Sequence, residues 1–170
     1  HLFDLQAVHY PWLTGQPEAH FLLGDYEALR RNYLPADFRR DFGNLRVVKT
    51  VHVEAEADRG GQVDETRWLA GLMAREGLPD GIVAHAWLNR PDSAEVLAAQ
   101  AAFPAVRGIR SKPRTSPTAA SRDQVRGKAA SMQDPAWREG LGRLREHGLS
   151  WDLRGPYWHL GEAAGACALY

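Results

Sequence analysis

The stretch Arg46-Val47-Val48-Lys49-Thr50-Val51-His52-Val53-Glu54-Ala55 decides the fold class. It is dense in β-branched side chains and predicts a strand over 46–55. Downstream, a polar loop with Gly60 and Gly61 side by side leads to Asp64. There a helix opens and runs to Arg75, with Trp68, Leu69, Leu72 and Met73 at helical spacing and Gly77 as its stop. Residues 81–88 read as the next strand. Pro91-Asp92 begins a helix to about 102, with Val96, Leu97 and Ala101 facing inward. A third, short strand covers 106–110. Asp134-Pro135 caps a helix to about 146, which His147-Gly148 ends. A fourth strand covers 149–153, and an Ala-rich helix covers 157–169.

Upstream of the first strand the pattern changes. Residues 1–23 are rich in aromatics, His, Pro and Gly without helical or strand period, and read as an ordered loop. Asp25 is an N-cap for a short helix over 26–33 that Pro35 ends, and a second turn follows over 36–42. Residues 111–131 hold Pro, Thr, Ser, Arg and Gly with no period. A connection of ~20 residues is long for a passive loop. The order is therefore loop, β, α, β, α, β, loop, α, β, α. Strands alternating with amphipathic helices imply parallel βαβ units in an α/β fold. A doubly wound sheet and a TIM barrel both fit, but no glycine-rich phosphate loop follows any strand, so a nucleotide-binding version has no support.

Composition narrows the function. The chain has 170 residues, enough for one ordinary domain, and 21 Lys+Arg against 21 Asp+Glu. A net charge of zero argues against a nucleic-acid or membrane partner bound through bulk charge. The single cysteine, Cys167, excludes an internal disulfide framework and a paired-cysteine metal site. No apolar run approaches the ~20 residues of a membrane span. The chain opens on His1 rather than Met and stops inside the apolar run Ala166-Cys167-Ala168-Leu169-Tyr170.

In a parallel α/β fold, chemistry sits at the carboxyl ends of the strands. The four strand ends here offer His52 and Glu54; then His85, Trp87 and Asn89; then Arg110, Ser111 and Lys112; then Asp152 and Arg154, with Tyr157, Trp158 and His159 just beyond. Alternation puts His52 and Glu54 on one face of their strand and Val51 and Val53 on the other. His52 reads equally as a site residue or a structural one, and His85 and Trp87 equally as core residues. A strand-end Arg110 suits a fork for a carboxylate, with a salt bridge to Asp152 as the plainer reading. Glu54 and Asp152 have the chemistry of general bases, but no spacing pairs them. His9 and His20, in the opening loop, are expected at the surface.

These residues resemble a known family. His1-Leu2-Phe3-Asp4 followed by His9-Tyr10-Pro11-Trp12-Leu13 looks like the opening of amidohydrolase-related proteins of the lactonase branch. That branch includes L-fucono- and L-rhamnono-lactonases and the 2-pyrone-4,6-dicarboxylate and sulfomuconolactone hydrolases. Its usual opening is a strand, then His-x-His-Leu-(Phe/Trp)-Asp, then a Tyr-Pro-Trp segment. Tyr26-Glu27-Ala28-Leu29-Arg30-Arg31-Asn32-Tyr33-Leu34-Pro35, Val51-His52-Val53-Glu54-Ala55, Arg107-Gly108-Ile109-Arg110 and Gly148-Leu149-Ser150-Trp151-Asp152-Leu153 follow in the family's order along the whole chain.

The resemblance implies a TIM (β/α)8 barrel present in part. Residues 1–170 would form a single amidohydrolase-like barrel domain truncated at both ends, with the first strand and the C-terminal part missing. It implies hydrolysis of small sugar-acid or aromatic-catabolite lactones by water attack on the ester carbonyl. It also implies assistance from a divalent metal, zinc or manganese, in the complete protein, although some members of the branch work without one. By position His1 would be a metal ligand. Arg110 would hold a substrate carboxylate or carbonyl oxygen, while His52, Tyr10, Trp12 and His159 would line the pocket, so that His1, His52 and Arg110 converge with Tyr10 and Trp12 on the rim. The catalytic Asp and a later ligand His would lie outside these residues.

The partner expected on this reading is a small lactone or carboxylate in the cytoplasm, with no nucleic acid or membrane and with room for a homo-oligomer. The competing reading is a non-catalytic barrel piece that serves only as an assembly or binding module. An open piece of barrel has two unpaired edges, so the isolated chain is expected to dimerise or aggregate and to lack lactonase activity.

Overall fold

The computed structural model describes residues 1–17 and 24–169. His20 therefore lies outside the described residues. The elements are α1 (Pro11–Thr14), α2 (Pro35–Asp41), β1 (Val51–Val53), α3 (Asp64–Glu76), β2 (Gly81–His85), α4 (Ser93–Ala101), β3 (Val106–Arg110), α5 (Pro135–Glu146), β4 (Ser150–Asp152) and α6 (Leu160–Cys167). The four strands are parallel, alternate with helices and follow chain order in their sheet, β1-β2-β3-β4, which is the pattern of a partial TIM barrel. The chain divides into two compact units, His1–Ile82 and Val83–Tyr170.

The first unit is built on aromatics. Phe3, Val8, Tyr10, Leu13 and Ala55 form its buried core, with Trp12, Tyr33 and Trp68 packed against them. The rings of Phe3 and Tyr10 meet edge to face at 5.5 Å, a favoured arrangement. Over its described residues, 1–17, the opening segment includes one helical turn, α1, with Pro11 at its first position; the rest of the expected loop, 18–23, lies outside the described residues. The helix expected over 26–33 shrinks to a single tight turn, Glu27–Leu29. Asp25 does accept from the Glu27 N–H at 3.0 Å. But that turn buries no side chain, and Tyr33 is drawn instead into an antiparallel bridge with Phe3.

The expected strand over 46–55 also contracts, to Val51–Val53. Just before it, Lys49 and Thr50 are tied to Asp80, and the Thr50 carbonyl accepts from the N–H groups of Asp80 and Gly81 at 2.9 and 3.2 Å. The Thr50 N–H donates to Asp80 Oδ2 at 2.8 Å, and Lys49 Nζ donates to Asp80 Oδ1 at 2.9 Å. These bonds also hold the Asp80 carboxyl below its ordinary range, Lys49 first and the Thr50 N–H next. Leu45, Val48 and Val51 are left exposed, Val51 by 62%. Helix α3 agrees with its expected span to one residue. It buries Leu69 and Leu72 and ends at Gly77, whose φ of 72° is the left-handed cap that glycine adopts freely.

In the second unit β3 has the expected bounds and pairs with β4 in parallel, Gly108 opposite Ser150, Ile109 opposite Trp151 and Arg110 opposite Asp152. Strand β2 ends at His85, earlier than expected. Gln100 of α4 donates from Nε2 to the His85 carbonyl at 2.9 Å, and the chain then turns, with the Arg90 N–H on the Trp87 carbonyl. Helix α5 is capped by Asp134, which accepts from the Ala136 N–H at 3.1 Å. It buries Trp137, Leu141 and Leu144 and sets Trp137 edge to face against Trp151 with centroids 5.1 Å apart. Gly140 brings it close, since a Cβ there would lie 2.1 Å from the Leu88 carbonyl oxygen. Segment 111–131 is not featureless, for it contains a 3-10 stretch, Ala119–Val125.

Candidate functional site

Two groups of polar side chains stand out, one in each unit. In the first unit, Glu65 on the opening turn of α3 is buried, and so is His52 of β1, at 4% exposure. Tyr10 Oη donates to Glu65 Oε1 at 2.9 Å, and the Ala55 N–H donates to both carboxylate oxygens at 3.1 and 3.3 Å. His52 Nε2 stands 3.3 Å from the same Oε1. The Leu2 N–H donates to His52 Nδ1 at 3.3 Å, which assigns the ring proton to Nε2 and makes it a donor to Glu65. Both ring nitrogens of His52 are therefore engaged. His52 belongs to the strand face turned toward α3, opposite Val51.

Tyr10 has no exposed surface. Burial first, then the Glu65 charge and hydrogen bond, push its phenol far above the ordinary value, so it stays a donor. Trp12 is half-buried and donates from Nε1 to the Ala55 carbonyl at 2.8 Å. His1 is exposed, and its Nδ1 lies 2.7 Å from the Val53 carbonyl oxygen. His9 is exposed as well, 3.5 Å from Asp58.

In the second unit the ends of β2, β3 and β4 bring together His85, Arg110 and Asp152. Arg110 Nε donates to Asp152 Oδ1 at 2.6 Å, so the salt bridge is formed. It engages only the inner nitrogen of the guanidinium, and both side chains remain partly exposed. His85 Nδ1 is 3.1 Å from the Arg110 carbonyl oxygen, and its ring meets Trp87 edge to face at 4.8 Å. His159 is buried, between Ser116 on one side and Glu162 on the other. Thus His1, His52, Tyr10 and Trp12 stand in the first unit, and Arg110 and His159 in the second.

Glu65, Ser116 and Glu162 carry no site signal in the sequence pattern. An acid directly after Asp64 at a helix start reads as an ordinary N-terminal charge. Its one distinguishing signal is that position 65 lies one helical turn before the buried Leu69.

No protein-family model matches the chain. Among curated proteins, the uncharacterized protein y4mH of Sinorhizobium fredii (strain NBRC 101917 / NGR234) is 35% identical over 164 residues, covering 95% of this chain and 54% of that protein. Among solved structures, an amidohydrolase from Burkholderia multivorans is similar in two crystal forms, one with bound HEPES and one with bound zinc. Each is 22% identical with a TM-score of 0.65 and covers 99% of this chain, but only 50% and 51% of the neighbour. The chain spans about half the length of each of these proteins. The structural likeness establishes the fold.

Proposed function

We propose that this chain is part of a hydrolase of small lactones that carry a carboxylate, acting in the cytoplasm. The observation that carries the reading is Arg110 at the carboxyl end of β3. Its Nε is fixed on Asp152 while the outer guanidinium nitrogens remain for a second carboxylate. A guanidinium held in this way is pre-oriented, so less conformational freedom is lost when an anion binds. The likeness to an amidohydrolase supports the same class of reaction. Water would add to the ester carbonyl carbon, the ring C–O bond would break, and the departing alkoxide would take up a proton, leaving a hydroxy acid.

Metal assistance belongs to this proposal for the complete protein. His1 suits a ligand, since a ring Nδ1–H on the Val53 carbonyl leaves the lone pair on Nε2. Among the described residues, however, no group of three or more His, Cys, Asp or Glu is placed to hold a metal ion. The described residues thus supply one candidate ligand and not a site.

The test is proton release by the full-length protein, supplied with zinc or manganese, on a panel of acidic and neutral lactones. Turnover that favours acidic lactones supports the reading. Absence of turnover above the buffer rate on every lactone overturns it and favours the non-catalytic module.

A further inference from the structure

Segment 111–131 leaves β3 directly after Arg110 and carries Lys112, Arg114, Arg122, Arg126 and Lys128 against one acid, Asp123. Arg114, Arg122, Arg126 and Lys128 are exposed, so little apolar burial holds the segment in place. Hydrogen bonds do. At its neck the Arg114 N–H donates to the Ala130 carbonyl at 2.8 Å, the Ala130 N–H donates to Asp134 Oδ2 at 2.6 Å, and Trp151 Nε1 donates to the Ser111 carbonyl at 3.1 Å. The tie inside the segment is at Ser116, and its partner is 43 residues away.

There the Ser116 backbone N–H donates to His159 Nε2 at 3.0 Å. The Ser116 hydroxyl donates to the Thr118 carbonyl at 2.8 Å and accepts from Trp158 Nε1 at 3.0 Å. On the other side of the ring, His159 Nδ1 meets the Glu162 carboxylate one turn along the helix. His159 is 2% exposed and Ser116 is 3% exposed.

Serine, histidine and carboxylate in a line have the order of an acyl-transfer triad, with Ser116 Oγ 3.1 Å from His159 Nε2. The bonding pattern excludes that role. The serine's own N–H occupies the Nε2 lone pair that a general base would need, and the hydroxyl proton is directed to the Thr118 carbonyl. A nucleophile must also meet its substrate, and this one is enclosed.

We propose that His159 and Glu162 are positioning residues: Glu162 holds His159 in the tautomer whose Nε2 accepts the Ser116 N–H, and this clasp fixes the basic segment beside Arg110. The inference deepens the proposed site, but its test reads the segment and not turnover, so the two stand or fall separately. The essential bond is to the backbone of Ser116. Gln at position 159 has an acceptor that reaches the place of Nε2; Ala has none. A buried amide left without an acceptor opens readily, and protease cleavage follows the open population.

Trypsin reports this directly in the full-length protein, because Arg114, Arg122, Arg126 and Lys128 all lie in the segment. His159→Ala is expected to raise cleavage there by roughly tenfold or more, with Arg75 and Arg145 cut at the unchanged rate. His159→Gln and Ser116→Ala should remain near the wild-type rate, since both keep the backbone bond. Unchanged cleavage in His159→Ala, a rise spread evenly over the chain, or failure of Gln to restore protection would overturn the clasp. A measurement on the unaltered protein stands beside the variants. The nitrogen spectrum of His159 should show Nδ1 protonated and Nε2 bare, and a protonated Nε2 would equally overturn it.

Discussion

Replacing Glu65 by Ala removes the shared acceptor of three buried donors: the Tyr10 hydroxyl, His52 Nε2 and the Ala55 N–H. Each buried donor left without a partner costs about 1–3 kcal/mol. Relief from desolvating the carboxylate offsets part of that sum. The net loss should resemble that of breaking a buried charged contact, about 3–5 kcal/mol. Against a folding stability of ~5–15 kcal/mol this is a large fraction. Glu65→Gln keeps one carbonyl oxygen as an acceptor and should lose less, about 1–3 kcal/mol. The assay is chemical denaturation of the full-length protein followed by the fluorescence of Trp12 and Trp68, which pack against the same core. A Glu65→Ala variant within about 1 kcal/mol of wild type would refute the reasoning, because it would mean that the three donors find other partners.

Further outcomes follow from the same structure. Tyr10 has a phenol pushed upward, so its folded value exceeds its unfolded one, and its contribution is full below the ordinary tyrosine range and lost as pH rises above about 10. Denaturation at stepped alkaline pH should show that decline in wild type and a shallower one in Tyr10→Phe; equal slopes would contradict it. Gly140→Ala drives a methyl into the Leu88 carbonyl and should destabilise by about 1–3 kcal/mol, seen as a lowered melting temperature. The isolated 170-residue chain exposes Leu45, Val48 and Val51 and should self-associate in sedimentation, whereas a soluble monomer with a sharp thermal transition would speak against this.

The parts of the fold that were legible from sequence are those fixed by local pattern. Strand β3 lies between a tight turn and a polar segment, and helix α3 has an apolar stripe with a glycine stop, so both could be bounded from their own residues. The misreadings come from distant partners. Residues 46–50 have strand chemistry, but Asp80, 30 residues on, captures Thr50. Residues 26–33 have a helix cap, but Phe3 captures Tyr33. The site shows the same division. Alternation along β1 correctly set His52 opposite Val51, yet it could not say which face meets α3, because that depends on Glu65. Arg110 and Asp152 were both visible as strand ends, and their pairing requires the register of β3 on β4. Ser116 and Glu162 carry no signal of their own, since each takes its role from His159.

The central claim is that Arg110, steadied by Asp152, receives the carboxylate of a lactone. Its most direct test compares kcat/KM for an acidic lactone and for the neutral methyl ester of the same lactone, in wild type and Arg110→Met. The account predicts that the substitution costs about 2–5 kcal/mol of transition-state stabilisation on the acid, roughly thirtyfold or more, and little on the ester. An unchanged kcat/KM on the acid, or an equal loss on both substrates, would contradict it and leave Arg110 as a structural partner of Asp152.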